Sequence, residues 1–189
     1  MNTTSIMIVG VGGQGTLLAS RLLGSALISQ GYDVKVSEVH GMSQRGGSVV
    51  TYVRYGDKVA SPVIDKGEAD YILSFELLEA ARWIGYLKKG GLLITNTHQT
   101  PPMPVITGAA VYPENIVEKL AQKAKVVALD ALPLAEQAGS AKAVNVVLMG
   151  VLSKQMHFDK TVWDKAIEET VPARFLELNQ RAFELGRAL

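Results

Sequence analysis

No cysteine occurs among the 189 residues. The chain therefore cannot ligate an iron–sulfur cluster, build a thiolate zinc site, form a disulfide or use a cysteine nucleophile. It also lacks an excess charge of either sign. Nineteen basic residues face 18 acidic ones, a net charge of +1, which leaves no electrostatic footprint for a nucleic-acid partner. The apolar stretch Ala143–Leu152 is interrupted by Asn145 and is too short to cross a bilayer. Met1–Ser5 carries no basic residue ahead of its apolar run, so it does not read as a secretory signal. Motifs that pair a nucleophile with its base or grip nucleotide phosphates are missing too: no G-x-S-x-G, G-x-x-x-x-G-K-[ST] or H-E-x-x-H occurs. That argues against an independent hydrolase or NTPase. The expectation is a cytoplasmic protein without a nucleic-acid or membrane partner, without a metal site and without a catalytic residue of its own.

What is present is an apolar fraction of 48%, enough for one well-buried domain over residues 1–189. Ile6–Val9 is a short apolar run ending in glycines, the pattern of a buried parallel strand. Gly15–Gln30 follows with Leu18, Leu22, Leu23, Ala26 and Leu27 on one helical face, and Gly31 stops it. Val34–Val36 resumes as a strand, giving a β-α-β opening. The pattern predicts an α/β fold, a Rossmann-like three-layer sandwich around a mostly parallel sheet. Ser48–Tyr55 reads as a strand turning at Gly56–Lys58 into a short partner at Val59–Val63, a hairpin insertion. Strands are expected at Tyr71–Ser74, Leu92–Asn96 and Lys125–Leu129, with a weaker one at Val105–Tyr112. Helices are expected over 76–87, ended by Gly90 and Gly91, and over 114–123, capped by Pro113. Residues 157–189 form a helical C-terminal extension. Phe175, Leu178, Ala182 and Leu185 share one face of its last helix, which packs on its own domain or meets a second subunit.

Two segments could carry chemistry. Gly10-Val11-Gly12-Gly13-Gln14-Gly15 matches G-x-G-x-x-G between a strand and a helix, where glycines let a phosphate approach backbone N–H groups. Glu38 stands near the position of the acidic residue that accompanies this fingerprint. The second segment, Glu38 to Ser48, gathers Glu38, His40, Gln44, Arg45, Gly46 and Gly47 within eleven residues. Arg45 beside Gly46 and Gly47 would present a forked cation next to free backbone N–H groups, suited to phosphate or carboxylate. The alternatives are a tight packing turn for the first segment and a solvated loop with an Arg45–Glu38 pair for the second. Glu76, Asn96, His98 and Asp130 follow strand ends and read as helix caps or solvated turns lining the same edge. Asn145, inside an apolar helical run, must pair with backbone or face a ligand or subunit.

Together, Gly10–Gly15 and Gly41-Met42-Ser43-Gln44-Arg45-Gly46-Gly47-Ser48-Val49-Val50 resemble the gamma-type domain of 2-oxoacid:ferredoxin oxidoreductases. Within that family the chain is most similar to the small (beta) subunits of indolepyruvate:ferredoxin oxidoreductases. Ser61–Ile64, Gly67–Tyr71, Asn96-Thr97 and Tyr112-Pro113 carry the same resemblance, which covers about Ile6 to Gly150. The tail after His157 adds little to it.

The resemblance implies one subunit of a larger enzyme. Such enzymes decarboxylate a 2-oxoacid on thiamine diphosphate, pass two electrons through iron–sulfur clusters to ferredoxin, and form the acyl-coenzyme A thioester. This chain has no G-D-G followed by the asparagine that would hold magnesium and thiamine diphosphate. Thiamine diphosphate, Mg and the clusters are therefore expected in a larger alpha subunit, with coenzyme A as co-substrate and ferredoxin reached through the complex. The two glycine segments are expected to help close the active site or to contact coenzyme A phosphates. Two other readings remain: a stand-alone NAD(P)-binding Rossmann oxidoreductase, and a non-catalytic homodimer that uses the C-terminal helices as its interface; a homodimer is also possible for the isolated chain.

Overall fold

The computed structural model describes residues 3–40 and 46–189, with His40 described by its backbone alone. Six strands form one sheet in the order β2-β3-β1-β4-β5-β6. They are β1 (Thr4–Val11), β2 (Asp33–His40), β3 (Ser48–Gly56), β4 (Ala69–Ser74), β5 (Leu87–Asn96) and β6 (Lys125–Leu129). β1, β4, β5 and β6 are mutually parallel, and β3 runs antiparallel to both β1 and β2. β2 therefore points the same way as β1 although it is not beside it.

β1 shows why the sheet is covered on both sides. Ile6 and Ile8 enter one apolar cluster, while Met7 and Val9 enter the other, all fully buried. Successive side chains on a strand point to opposite faces, so a run without polar residues needs a helix layer on each. One layer holds α1 (Thr16–Ser29), α6 (Val144–Ser153), α7 (Lys160–Thr170) and α8 (Leu176–Ala188); the other holds α2 (Leu77–Trp83) and α4 (Ile116–Ala121). The described residues also form two short helices, α3 (Met103–Ile106) and α5 (Leu132–Ala138). α1 keeps Leu22, Leu23, Ala26 and Leu27 fully buried. Past its end, Gly31 (φ +83°) and Tyr32 donate back to Ile28 and Leu27, the paired bonds of a glycine-terminated helix.

Several expected boundaries differ from the observed ones. The hairpin exists, but β3 turns from β2 rather than into Val59–Val63. β3 has a full ladder on each side, so no edge is left for a further strand, and Pro62 has no N–H to donate. Residues 59–63 instead lie against the sheet margin: Val59 N–H donates to Asp33 (2.8 Å), and Arg54 donates to the Val63 carbonyl (2.8 Å). Gly90 and Gly91 do not end a helix; they form a bulge inside β5, where a Cβ on Gly91 would come within 2.9 Å of the Asp70 carbonyl. The preceding helix closes at Trp83 with one further 3₁₀ turn. Val105–Tyr112 forms no strand. Pro102 leads into the single turn α3 instead, and Val111 is 86% exposed. The helix predicted from 114 starts at Ile116, after Asn115 in a left-handed conformation (φ 53°).

Residues 157–189 pack on the main apolar cluster through Trp163, Ile167, Ala182 and Phe183, all fully buried. α8 lies directly on α6 because two glycines face each other's backbone. A Cβ on Gly150 would meet the Phe183 carbonyl at 2.2 Å, and one on Gly186 the Val147 carbonyl at 1.9 Å. Just before α8, at the end of the 3₁₀ turn Ala173–Phe175, Phe175 is 43% exposed with Arg174 over its ring.

Candidate functional site at the carboxyl edge

The carboxyl ends of β1, β2, β4, β5 and β6 and the start of β3 fall along one edge of the sheet. Ligands of open α/β sheets collect at such an edge. Gly10–Gly15 leaves β1 here and enters α1. Gly13 (φ +103°) and Gly15 (φ +86°) adopt backbone conformations that side chains disfavour. Gly10 is held by space instead: a Cβ there would approach the Gln14 amide oxygen at 2.8 Å and Phe75 at 3.2 Å.

The two glycine segments meet. Gly12 N–H donates to the Gly47 carbonyl (2.9 Å), and Gly46 N–H donates to Gly12 (3.4 Å), extending the β1–β3 ladder past Val11 and Ser48. This bond engages the Gly12 N–H. The Gln14 N–H is engaged with the Val11 carbonyl (3.2 Å), and the Gln14 side-chain oxygen accepts from Val11 N–H (2.8 Å). Among the described residues, the donors left free therefore include those of Gly13 and the first turn of α1. No side chain caps that helix, and the N–H groups of Gly13, Thr16 and Leu17 have no partner among the described residues. They open between two clefts. One of about 500 Å³ is lined by Gly13, Gln14, Phe75, Asn96, His98 and Lys142. The other, of about 300 Å³, is lined by Gly12, Gly13, Thr16, Glu38 and Val49. An uncapped helix start with an adjacent lysine suits an anion such as phosphate.

Glu38 lies on β2 opposite Thr51 of β3, which in turn faces Ile8 of β1. It is exposed and inside the strand, not past its end. With β3 interposed, it stands two strand spacings, about 10 Å, from β1. The neighbouring β-α-β geometry on which the dinucleotide fingerprint depends is thus not formed. His40 ends β2; its side chain lies outside the described residues, as do Gly41, Met42, Ser43, Gln44 and Arg45. Gly46 and Gly47 are described and lie against Gly12.

Around this turn the edge is built from buried polar side chains. Asn145 (4% exposed) donates to the Gly15 carbonyl (3.2 Å), tying α6 to the glycine turn. It leaves no room at Gly15, where a Cβ would lie 2.3 Å from its amide nitrogen. Asn96 joins the end of β4 to the start of α5, accepting from Ala131 N–H (3.2 Å) and donating to the Phe75 carbonyl (3.4 Å). Asp130 accepts from Leu132 N–H (3.1 Å). Glu76 caps α2 through Glu79 N–H (2.8 Å), yet it is no solvated turn: it is buried and also accepts from Thr100 N–H (2.9 Å) and the Tyr112 hydroxyl (2.7 Å). Burial and then this carboxylate push the Tyr112 phenol well above its ordinary range.

Sequence reasoning did not single out Glu79, buried on α2, nor Lys142 and Phe75 in the larger cleft. The only pattern signal for Glu79 was a carboxylate three residues after Glu76 on a short helix. That is also what an ordinary helix start looks like. Among the described residues no group of three His, Cys, Asp or Glu is spaced to hold a metal, and no helix is long and apolar enough to cross a membrane.

The chain matches the family model described as pyruvate ferredoxin/flavodoxin oxidoreductase over residues 5–189. The match runs on through the C-terminal helices, beyond the stretch covered by the motifs. The chain is 47% identical to the indolepyruvate oxidoreductase subunit IorB of Thermococcus kodakarensis, over 98% of this chain and 95% of that one. IorB of Pyrococcus horikoshii gives the same identity and coverage. A solved gamma subunit of a keto/oxoacid ferredoxin oxidoreductase from Geobacter sulfurreducens superposes with a TM-score of 0.72 at 25% identity, covering 97% of this chain and 95% of that one. A 2-oxoglutarate:ferredoxin oxidoreductase chain from Magnetococcus marinus shares the fold at TM-score 0.75 and 16% identity, with this whole chain lying on 31% of it.

Proposed function

This chain belongs to the pyruvate ferredoxin/flavodoxin oxidoreductase family and is a subunit of a 2-oxoacid:ferredoxin oxidoreductase, and we propose that the substrate of the assembled enzyme is indolepyruvate or another arylpyruvate. The 47% identity to two IorB subunits over nearly the whole chain carries this reading. The partner is a larger alpha subunit that brings thiamine diphosphate, Mg and the iron–sulfur clusters, and ferredoxin takes electrons from the complex in the cytoplasm. A chain with no cysteine has no thiolate for a cluster, so electron transfer belongs to the partner.

The work of this chain is positional. When bound, coenzyme A supplies the thiol that receives the acyl group. Gly13, Thr16 and Leu17 would hold one of its phosphates through backbone N–H groups, with Lys142 as a cation in the same cleft and Arg45, from the second glycine segment, as a further cation for the ligand. The donors left free in the turn, and the absence of a side-chain cap on α1, support that assignment. Gly46 and Gly47, paired with Gly12, fix the start of β3 beside the glycine turn. No catalytic residue is assigned to the chain.

The test is anaerobic co-purification of the tagged chain. We expect a larger cysteine-rich partner, iron–sulfur absorbance, and ferredoxin reduction dependent on arylpyruvate and coenzyme A. Arg45→Ala is expected to raise the KM for coenzyme A or to weaken assembly. Recovery of the chain alone and colourless, or a preference for a small aliphatic 2-oxoacid, would overturn the reading.

A further inference from the structure

Glu79 is an expensive residue in its place. It lies on α2 among Leu77, Ala80 and Trp83, facing the sheet, and is 4% exposed. An apolar side chain would fill that position without the cost of desolvating a carboxylate. Three donors converge on it instead. Ser48 donates from its hydroxyl, Trp83 from its indole Nε1 (3.2 Å) and Arg82 from its guanidinium Nε (3.0 Å). Trp83 and Arg82 sit on or beside the same helix and fix the direction of the carboxylate. Ser48 lies elsewhere in the chain, 31 residues away.

Ser48 is the first residue of β3 and the ladder partner of Val11. The next residue back, Gly47, accepts the Gly12 N–H. Two hydrogen bonds joined by the Gly47–Ser48 peptide link therefore connect the Glu79 carboxylate to the glycine turn. The far end of this connection sits beside the N–H groups of Gly13 and Thr16, which have no partner among the described residues.

We propose that Glu79 is a positioning residue for the glycine turn: by holding Ser48 it fixes Gly46–Gly47 against Gly12 and so sets the aim of the Gly13 and α1 donors. This rests on the reading of that turn as the coenzyme A contact. Glu79 touches no reacting atom. Its effect is geometric and passes through Ser48, and misplacement of a binding group by a fraction of an ångström is felt in substrate binding.

The experiment uses the assembled enzyme carrying Ser48→Ala, Glu79→Ala, Glu79→Gln or Arg45→Ala. Steady-state kinetics in coenzyme A are read together with hydrogen exchange of the 8–17 segment and, as a reference, of α6. Ser48→Ala removes one hydroxyl from an exposed residue and leaves the fold intact. Ser48→Ala and Glu79→Ala should each raise the KM for coenzyme A about 5- to 10-fold with kcat within about twofold, and speed exchange at Gly12 about 10-fold while α6 stays unchanged. Glu79→Gln, which keeps the length and one acceptor, should return both to within about threefold of the wild type. If Arg45→Ala raises the KM while Ser48→Ala and Glu79→Ala alter neither KM nor Gly12 exchange, the positioning role is overturned. Uniformly faster exchange, α6 included, also overturns it, since that marks a merely structural loss. If Gly12 exchange quickens locally but the KM moves in no variant, Arg45→Ala included, then the coenzyme A reading fails while the positioning of the turn stands.

Discussion

Gly15 and Gly13 stand two residues apart, share a positive φ, and predict different costs. A methyl on Gly15 combines strained backbone with a contact of 2.3 Å to the buried Asn145 amide. Gly15→Ala should therefore lose about 2–4 kcal/mol in urea unfolding. Gly13 has nothing within 4 Å of the would-be Cβ. Gly13→Ala carries the backbone strain alone, about 1–2 kcal/mol. Equal losses at the two positions would contradict the packing account. Tyr112 makes a prediction in pH. Its folded-state pKa lies above the ordinary value because of burial and the Glu76 carboxylate. The stabilisation is thus fully present below about pH 10, the unfolded value, and declines as pH rises beyond it, since the unfolded phenol loses its proton first. Tyr112→Phe should take up to one proton out of the alkaline unfolding transition. Tyr52 and Tyr55, both raised mainly by burial, and Lys160, raised by Asp164 and Glu184, contribute to the same transition. At this scale the glycine turn was legible, because G-x-G-x-x-G between a strand and a helix has few uses. Glu79 was not, since a carboxylate near a helix start looks the same whether it faces water or a serine 31 residues away.

Among elements, the contact between α6 and α8 is the most demanding. Gly150 and Gly186 each face backbone atoms of the opposite helix at distances no side chain tolerates. Backbone cannot step aside as a flexible side chain can. Gly186→Ala should therefore cost about 3 kcal/mol and lower Tm by roughly 6–12 °C, measured calorimetrically. An unchanged Tm would mean that the helices stand further apart than described. Strand and helix identities along β1, α1, β4 and β6 could be read from apolar periodicity. The placement of β3 could not. Its alternation predicted a strand, but the choice between pairing with Val59–Val63 and pairing with β2 and β1 on both sides is a matter of long-range ladders. Similarly, Gly90 and Gly91 looked like a helix stop and proved to be a bulge, because a glycine pair serves either purpose until the neighbouring strand is known.

For the molecule as a whole, the order β2-β3-β1 separates the enzyme-subunit reading from the nicotinamide one. β3 places Glu38 two strands from β1, about 10 Å away. The assembled complex should show no NADH binding attributable to this chain: NADH fluorescence should be the same with wild type and with Glu38→Gln, while arylpyruvate-dependent ferredoxin reduction persists in both. Saturable NADH binding lost in Glu38→Gln would restore the nicotinamide reading.

The amino-acid sequence by itself determined that this chain carries no cluster, because no cysteine is present to ligate one. It also determined that the sheet is buried on both faces, because β1 has no polar alternation, and that a glycine turn opens onto a helix start. Only the tertiary structure decided that β3 lies between β2 and β1, and that the turn's donors divide into engaged and free. It alone brought the Glu79 carboxylate to Ser48. These all depend on contacts between residues tens of positions apart, whose free energy comes from ladders and burial that exist only once the chain has closed on itself. Local composition and period carry no record of them.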